Sequence, residues 1–587
     1  MQPHNPNTKP PHSCVVWGLW YAADSAHALG QLVAIDYSDS TPDVAFTYDR
    51  LGRQLTITDV LGTRTNVYSP ADLLEERFPD GDALVRTYDA YGRAAGIALG
   101  PDYAVGYGYD EYGRFSTVAV SNGPTFGYSY VSCSPLLAGY TNTLGLSVAY
   151  AYEPLRDLKT LVSNAWGTNP ISTFAYDYDA VGRRTQRVDS GLTTNVFAYN
   201  TRSELINAVM GTNTYSYAYD PIGNRTESVE NGLTTTYAAN ELNQYTTLNP
   251  GAPNSTPFSY DADGNMTSDG RFLYMWNGEN RMAVASNDEV VVTYAYDYQG
   301  RMVNKKISRE GGEEQSISYN WDNWNIIRET LATNNTPQTT HNVWGLDLDG
   351  TLQGVGGVGG LLVVIRDCRP YFSTYDANGN VAKYVSWRGE IMAYYDYSPF
   401  GVPVIVSGLL ASTFSHQFST KPNCAFTGVS EYQLRKYRAE IGRWSSRDPI
   451  GGRSGLNSYG FVGNVPIILI DKFGLKYENP ISRPSVPIGP RFPSEPDGAY
   501  GSGPGMCVCS ERPEFLDAAV ALYNEWLNAW MELKKAKDEM KRANVKRSDK
   551  YFHCLGSCNA ARAGSRRAAD MLGRFRELEE LARQRVL

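Results

Sequence analysis

Tyr48-Asp49-Arg50-Leu51-Gly52-Arg53 is the stretch of this 587-residue chain that decides its fold. The same pattern, Tyr-Asp-x-x-Gly followed by Arg or Asn, recurs in copies that start at Tyr88, Tyr109, Tyr178, Tyr219, Tyr260, Tyr296 and Tyr375. Most spacings between successive copies lie near one or two multiples of about 20 residues, the size of one supersecondary unit. This recurrence predicts a repeat architecture.

Each copy of the pattern reads as the turn of a β-hairpin. Aromatic residues alternate with smaller ones before several copies, as in Tyr215, Tyr217 and Tyr219, and a period of two places them on one face of a strand. The Asp can close an Asx-turn, and the Gly supplies the positive φ of a tight turn. Because a lone hairpin cannot bury its tyrosine face, we expect the hairpins to stack into a continuous sheet that coils on itself. Residues that recur in every repeat are interpreted as scaffold rather than catalytic.

Composition agrees with a β-rich chain. The 42 Tyr and 55 Gly residues suit strands and tight turns. A net charge of −9 gives the whole chain no electrostatic reason to bind nucleic acid. The N-terminus has no secretory signal pattern, and no apolar run approaches the roughly 18 residues of a membrane-spanning helix. The sequence therefore predicts neither a signal peptide nor a transmembrane helix, and export would need a route that this chain does not encode.

The hexapeptide resembles the YD repeat of Rhs proteins, teneurins and the C components of insecticidal toxin complexes. The resemblance covers roughly residues 40–475 and implies a mainly β fold, a spiral or shell of hairpins, open or closed, with a small α-helical C-terminal domain. The expected order is an N-terminal segment of unknown structure (1–40), YD/Rhs β-hairpin repeats (41–390), an Rhs-associated core domain (391–475), a Pro/Gly-rich linker (476–512) and a helical variable C-terminal domain (513–587).

The resemblance to the core domain rests on residues 394–401 and 432–475. Its main motifs are Gly442-Arg443-Trp444-Ser445-Ser446-Arg447-Asp448-Pro449-Ile450-Gly451 and Asp471-Lys472-Phe473-Gly474-Leu475. In family members that cut themselves, two Asp-Pro-x-Gly elements bring their carboxylates together, and the backbone is cleaved just after the second. The resemblance implies Asp448 and Asp471 as the catalytic pair, Arg447 as a helper, and Leu475–Lys476 as the scissile bond.

Paired carboxylates suit such a cleavage because they cannot both stay ionised, so one keeps a proton. The pair can then activate a water and protonate the leaving amine, while a neighbouring Arg holds the charged partner. Lys472 stands where the family usually has Pro, which removes a fixed φ and would favour an ionised Asp471. Two interpretations stay open: active self-cleavage, and turns that plug the end of the shell.

The tail after Leu475 differs from the body. Apolar residues at helical spacing run from Phe515 to Leu533, and a second helix is predicted from about Asp549 to Arg585. Basic residues of the tail could contact nucleic-acid phosphates, although a solvated helix face is the preferred interpretation. The tail also contains candidate zinc ligands, which are Cys507, Cys509, Cys554 and Cys558 with His553. The same cysteines could instead form a disulfide or remain free thiols.

Three functional hypotheses follow. The first is a polymorphic toxin-like carrier, a secreted or cell-surface bacterial protein whose shell encloses its own C-terminal domain as cargo. Secretion machinery and an immunity protein are its further candidate partners, and the activity of the effector is unassigned. The second is a structural or adhesive surface protein without enzymatic activity, and a remnant of a longer array is a third reading. Tyrosines in the cavity or the sheet seam would favour the carrier, whereas exposed tyrosines would favour the adhesive protein.

Overall fold

The computed structural model describes residues 16–21, 31–332, 337–453, 455–475 and 477–478. The chain divides into two compact units, Met1–Pro490 and Arg491–Leu587, and all described residues belong to the first. The predicted helical domain and nearly all of the predicted linker therefore lie outside the described residues. No helix in the described part is long and apolar enough to span a membrane.

A 23-stranded antiparallel sheet forms the first half of the described chain. Each strand pairs with its neighbours in sequence, as expected for consecutive hairpins. Its strands are β1 (Val16–Tyr21), β2 (Leu32–Tyr37), β3 (Val44–Tyr48), β4 (Gln54–Asp59), β5 (Gly62–Tyr68), β6 (Leu73–Arg77), β7 (Ala83–Tyr88), β8 (Ala94–Leu99), β9 (Tyr103–Tyr109), β10 (Phe115–Val120), β11 (Thr125–Tyr130), β12 (Leu137–Asn142), β13 (Leu146–Tyr152), β14 (Lys159–Trp166), β15 (Asn169–Tyr178), β16 (Arg184–Asp189), β17 (Thr194–Tyr199), β18 (Leu205–Met210), β19 (Asn213–Tyr219), β20 (Arg225–Glu230), β21 (Leu233–Ala239), β22 (Tyr245–Leu248) and β23 (Thr256–Pro257).

A 14-stranded sheet continues the same antiparallel pattern. Its strands are β24 (Ser259–Tyr260), β25 (Met266–Ser268), β26 (Leu273–Trp276), β27 (Met282–Ser286), β28 (Val290–Tyr296), β29 (Met302–Arg309), β30 (Gln315–Asp322), β31 (Asn325–Ala332), β32 (Gln338–Trp344), β33 (Leu361–Arg366), β34 (Arg369–Tyr375), β35 (Val381–Ser386), β36 (Ile391–Tyr397) and β37 (Pro403–Ser407). The sheet continues beyond residue 390, the predicted boundary between the repeats and the core domain. β35 pairs with β36 across this boundary, and β36 pairs with β37 after it.

The chain after β37 is less regular. A small sheet holds β38 (Val429–Glu431), β39 (Lys436–Arg438) and β40 (Arg443–Trp444), and β41 (Ile470–Asp471) pairs with β42 (Tyr477–Glu478). Short 3₁₀ turns lie at Phe418–Thr420, Gly451–Arg453 and Val462–Asn464.

The opening hexapeptide shows the geometry of each repeat turn. Asp49 Oδ1 accepts hydrogen bonds from the amides of Leu51 (2.8 Å) and Arg53 (3.0 Å), and Asp49 Oδ2 accepts one from Arg53 Nε at 2.7 Å. Gly52 has a φ of +81°, which an L side chain adopts only with strain. The predicted Asx-turn and left-handed glycine are both present, so the hexapeptide encodes one hairpin turn.

Side chains of the hexapeptide also join one repeat to the next. The Arg53 guanidinium lies 4.3 Å from the ring centroid of Tyr68 and donates to the Ser69 carbonyl at 2.7 Å. In return, the Tyr68 hydroxyl donates to the carbonyl of Gln54 at 2.9 Å. The same hydroxyl-to-carbonyl bond recurs from Tyr88 to Leu73, Tyr109 to Ala94, Tyr130 to Phe115, Tyr152 to Leu137, Tyr199 to Arg184, Tyr219 to Leu205, Tyr296 to Met282 and Tyr397 to Val381.

Several turns keep this geometry without the hexapeptide. Asn200, Asn240 and Asn277 each accept two backbone amides through Oδ1, as the repeat aspartates do. They lie midway between recognised copies, so the repeat of about 20 residues continues through the long intervals. At Trp276 the indole Nε1–H replaces the tyrosine hydroxyl and donates to the Met266 carbonyl at 2.7 Å.

The aromatic faces of the two large sheets pack against each other. The ring centroids of Phe126 and Phe372 lie 6.1 Å apart, and the Tyr103 hydroxyl donates to the carbonyl of Asn342 at 3.1 Å. Tyr215 and Tyr217, from the alternating stretch, are only 3% and 5% exposed. These strand tyrosines therefore line the seam between the sheets, whereas Tyr91 and Tyr112 in the repeat turns are 74% and 68% exposed. The placement of the tyrosines bears on the choice between the carrier and the adhesive hypotheses.

Candidate active site

The predicted scissile bond lies in the connection between two short strands. Asp471 ends β41 and is the register partner of Tyr477 in β42, so residues 472–476 join the two. Asp471 Oδ1 accepts hydrogen bonds from the amides of Gly474 at 2.7 Å and Leu475 at 2.9 Å. The carboxylate thus organises the backbone immediately before the predicted cut, and Lys476 itself lies outside the described residues.

Arg435 brings the two predicted catalytic carboxylates together. Its Nη2 lies 2.9 Å from Asp448 Oδ2 and 3.8 Å from Asp471 Oδ2. The side chains of the three residues are only 2–3% exposed. Asp448 Oδ1 also accepts the amide of Ile450 at 3.0 Å, which closes a turn like those of the repeats. Two carboxylates therefore share one guanidinium in a site from which bulk water is nearly excluded.

The connection between β38 and β39 positions Arg435. Its guanidinium lies 4.2 Å from the ring centroid of Trp444, donates through Nη1 to the Ser458 carbonyl at 3.2 Å, and donates through Nε to the Gly474 carbonyl. Burial lowers the pKa of Arg435 to about 10, so the guanidinium stays cationic at neutral pH. Arg435 lies within residues 432–475, on which the core-domain resemblance rests, but the sequence analysis assigns it no role.

The environment of Asp471 raises the pKa of its carboxyl. Burial raises the pKa of the Asp471 carboxyl above its usual range, although Arg435 and the two backbone amides act in the opposite direction, and the nearby Asp448 raises the pKa further. The Lys472 ammonium, which the sequence suggested would favour ionisation, lies over the Phe473 ring at 5.2 Å. Acid–base cleavage by two carboxyls needs one of them to have a raised pKa, and the direction of the shift at Asp471 agrees with that requirement.

Arg447, the helper implied by the family resemblance, is exposed at the surface, where its aliphatic stem lies beside Gly264. Its role stays a prediction. The guanidinium that the structure places between Asp448 and Asp471 is that of Arg435.

A cavity of about 220 Å³ opens beside the carboxylate pair. Its wall includes Asp448, Asp471 and Leu475, together with the repeat-turn residues Glu204 and Gly223. The volume exceeds what a single water molecule needs, and the wall offers several polar groups to hold one. The repeat array therefore completes the site, since its turns form one side of the space next to the predicted scissile bond.

The cysteine group predicted for the tail, Cys507, Cys509, Cys554 and Cys558 with His553, lies outside the described residues, so zinc, disulfide and free thiols stay predictions. Within the described part, Cys368 and Cys424 are free thiols. No group of three or more His, Cys, Asp or Glu side chains in that part is arranged to hold a metal ion.

Comparison with known proteins places this fold in a family. The family described as Teneurin YD-shell matches residues 171–467, which is half of the chain. The chain therefore belongs to the YD-shell family, and the Rhs/YD-repeat resemblance is confirmed. A second match, to the family described as Serum amyloid A protein, covers residues 520–585, outside the described part.

Individual relatives and a solved structure agree with this membership. The chain is 26% identical over 217 residues to the tRNA3(Ser)-specific nuclease WapA of Bacillus spizizenii, a match that covers 35% of this chain and 9% of that protein. It is 37% identical over 94 residues to Toxin subunit YenC1 of Yersinia entomophaga, which covers 16% and 10%. The crystal structure of TcdB2-TccC3 superposes with a TM-score of 0.53 at 18% identity, over 76% of this chain and 29% of that one. This chain thus spans about a tenth of the length of these two relatives. The structural match confirms the mainly β shell fold.

Proposed function

We propose that this protein is a polymorphic toxin-like YD shell that carries its C-terminal residues as an effector and frees them by cutting Leu475–Lys476. The observation that carries the proposal is the buried pair Asp448 and Asp471, joined by Arg435 directly beside the predicted bond. The relatives named above as a toxin subunit and as a tRNA nuclease support the toxin-like class.

The cleavage we propose is a hydrolysis in which the two carboxyls have different roles. Asp448, which lies 2.9 Å from Arg435 Nη2, takes a proton from a water in the adjoining cavity, and the hydroxide oxygen bonds to the Leu475 carbonyl carbon. Asp471 gives its proton to the Lys476 nitrogen as the C–N bond breaks. The products are a carboxyl group on Leu475 and an amine on Lys476. Transfer of one proton from Asp448 to Asp471 then restores the starting protonation of the pair.

The placement of the tyrosines supports a carrier over an adhesive surface protein. Repeat tyrosines such as Tyr103 and Tyr215 are buried at the seam between sheets, at 3% exposure each. Ring faces used this way stabilise the sheets, whereas the exposed aromatic rings of the repeats, such as Tyr91 at 74% and Tyr112 at 68%, lie in the turns. The same proposal places the protein outside the cell or on its surface, with secretion machinery and an immunity protein as partners.

Intact mass of the purified full chain tests this function. We expect two products divided between Leu475 and Lys476, the smaller about one fifth of the chain. Asp448→Asn and Asp471→Asn should each leave the chain whole, because either change removes one carboxyl of the pair. Asp49→Asn, in a repeat turn, is the matched control and should be cut like the wild type. An uncut wild-type chain, or cleavage that persists in Asp448→Asn, would overturn the proposal.

A further inference from the structure

Lys421 is a buried amine directly behind the turn that precedes the predicted cut. Its residue is 2% exposed, and its Nζ donates to the carbonyl of Gly356 at 2.8 Å, to Gln433 Oε1 at 3.1 Å and to the carbonyl of Lys472 at 3.3 Å. These three acceptors belong to three separate segments, so a single ammonium joins them. Burying a charged amine costs free energy, which makes a purely incidental position unfavourable.

A glycine-rich loop, residues 347–360, forms the other side of the same arrangement. Gly356 has a φ of +67°, and a Cβ at this position would meet the carbonyl of Lys472 and the ring of Phe473. The Phe473 ring in turn packs on Trp324, with centroids 5.0 Å apart. The loop can therefore approach the Asp471–Gly474 turn closely only because residue 356 has no side chain.

The charges that face Lys421 come from several elements. Asp347 of the glycine-rich loop and Asp471 of the turn stabilise its ammonium, while His416 and the Tyr432 ring, 5.3 Å from Nζ, complete its surroundings. Burial nevertheless dominates and lowers the pKa of Lys421 to about 7. The protonation of this amine therefore changes across the neutral range, and with it the strength of the hydrogen bond to the Lys472 carbonyl.

Resting on the proposed function, we propose that Lys421 is a positioning residue for self-cleavage: by holding the Lys472 carbonyl, it keeps the Asp471–Leu475 turn in place at the carboxyl pair. A Lys at position 472 leaves the φ of this turn free, as a proline would not. The hydrogen bond from the Lys421 ammonium to the Lys472 carbonyl supplies a restraint on the same turn.

Amide hydrogen exchange on the uncut chain tests whether Lys421 restrains the Asp471–Leu475 turn, and it does not depend on cleavage. In an Asp448→Asn background, Lys421→Met should speed exchange of the Gly474 and Leu475 amides at least tenfold, since both depend on the position of Asp471. Amides of β33 report whether the fold is intact. Lys383→Met is the matched control: its amine also donates to a backbone carbonyl, that of Ile171 at 2.6 Å, and the change should leave both amides unaffected.

Cleavage kinetics with the native Asp448 give the second measurement. Lys421→Met should cut at least tenfold more slowly than the wild type below pH 7, and the difference should narrow above pH 7, where the wild-type amine loses its proton. A role in folding alone would slow cleavage equally at every pH. Unchanged amide exchange in a folded Lys421→Met chain would overturn the inference, and Lys421→Gln supplies this measurement if the methionine variant unfolds. If the wild-type chain stays uncut but Lys421→Met still speeds exchange of the Gly474 and Leu475 amides, the proposed function is refuted. The restraint of the turn by Lys421 is then still supported.

Discussion

The repeat turns and the carboxylate site use the same residue types, an Asp and an Arg, with opposite consequences. In the turn at Asp49, the carboxylate lies 2.7 Å from Arg53, and the side chains are 20% and 28% exposed. The Arg53 amide, followed by the guanidinium and the Leu51 amide, lowers the pKa of Asp49 despite partial burial. At Asp471, by contrast, burial outweighs the guanidinium of Arg435 and raises the pKa. Between these two aspartates, the difference in burial therefore accounts for the opposite directions of the pKa shifts.

The largest expected difference comes from removing the arginine of each region. Arg435→Met leaves two carboxylates buried without their shared cation, which should cost about 3–5 kcal/mol of unfolding free energy and abolish cleavage. Arg53→Met removes a part-exposed ion pair and should cost no more than about 1 kcal/mol. Urea denaturation followed by tryptophan fluorescence, together with intact mass, measures both. Equal losses from the two variants would mean that burial does not separate the regions.

The pH dependence of cleavage should sharpen the same contrast. Asp471 must be protonated to donate, so the rate should fall as pH rises through its raised pKa, by about tenfold per pH unit. The sign follows from the direction of the shift, because a raised pKa extends the protonated form upward in pH. Asp49→Asn should leave the profile unchanged. A rate that increases with pH would show that Asp471 acts as a base, and the proposed roles would need to be exchanged.

The fold could be predicted from the sequence because its turns are encoded locally. An Asp at one position and a Gly three residues later set the hydrogen bonds and the φ of each turn, with little help from distant residues. The turns at Asn200, Asn240 and Asn277 escaped prediction because the geometry needs only a side-chain oxygen and a backbone that tolerates positive φ. Hexapeptide identity is a narrower criterion than that physical requirement.

The site was only partly predictable. Asp448 and Asp471 were identified through the family resemblance, and the structure brings both to one guanidinium. Arg435 and Lys421 lie in connections whose course is fixed by tertiary packing, and no local pattern sets them apart from other Arg and Lys residues. Their roles depend on burial and on carbonyls far away in the sequence, such as Ser458 and Gly356.

A buried histidine extends the comparison to stability. Burial lowers the pKa of His416 to about 4, so the folded protein favours the neutral ring. Because the pKa of His416 is lower in the folded than in the unfolded protein, its contribution to stability is fully present above pH 6.5, the pKa in the unfolded chain. This contribution to the free energy of unfolding is lost as the pH falls toward 4. Between pH 7.5 and 5 the loss should be about 2 kcal/mol. Urea midpoints of wild type and His416→Asn should therefore converge as pH falls, and parallel curves would contradict the shift.

The smallest expected effect belongs to the repeat array. Tyr109→Phe removes the hydroxyl that donates to the Ala94 carbonyl at 3.0 Å, but keeps the ring beneath the Arg93 guanidinium, 3.9 Å from its centroid. Loss of one such hydrogen bond should reduce the unfolding free energy by about 1 kcal/mol. Tyr91→Phe, at a side chain that is 74% exposed in the neighbouring turn, is the control and should change stability by less than about 0.5 kcal/mol. Cleavage should proceed normally in both variants, because stability in the array is divided among many equivalent hydroxyls, whereas the site depends on one guanidinium. If Tyr109→Phe slowed cleavage, the array and the site would be coupled more tightly than the shared cavity wall implies.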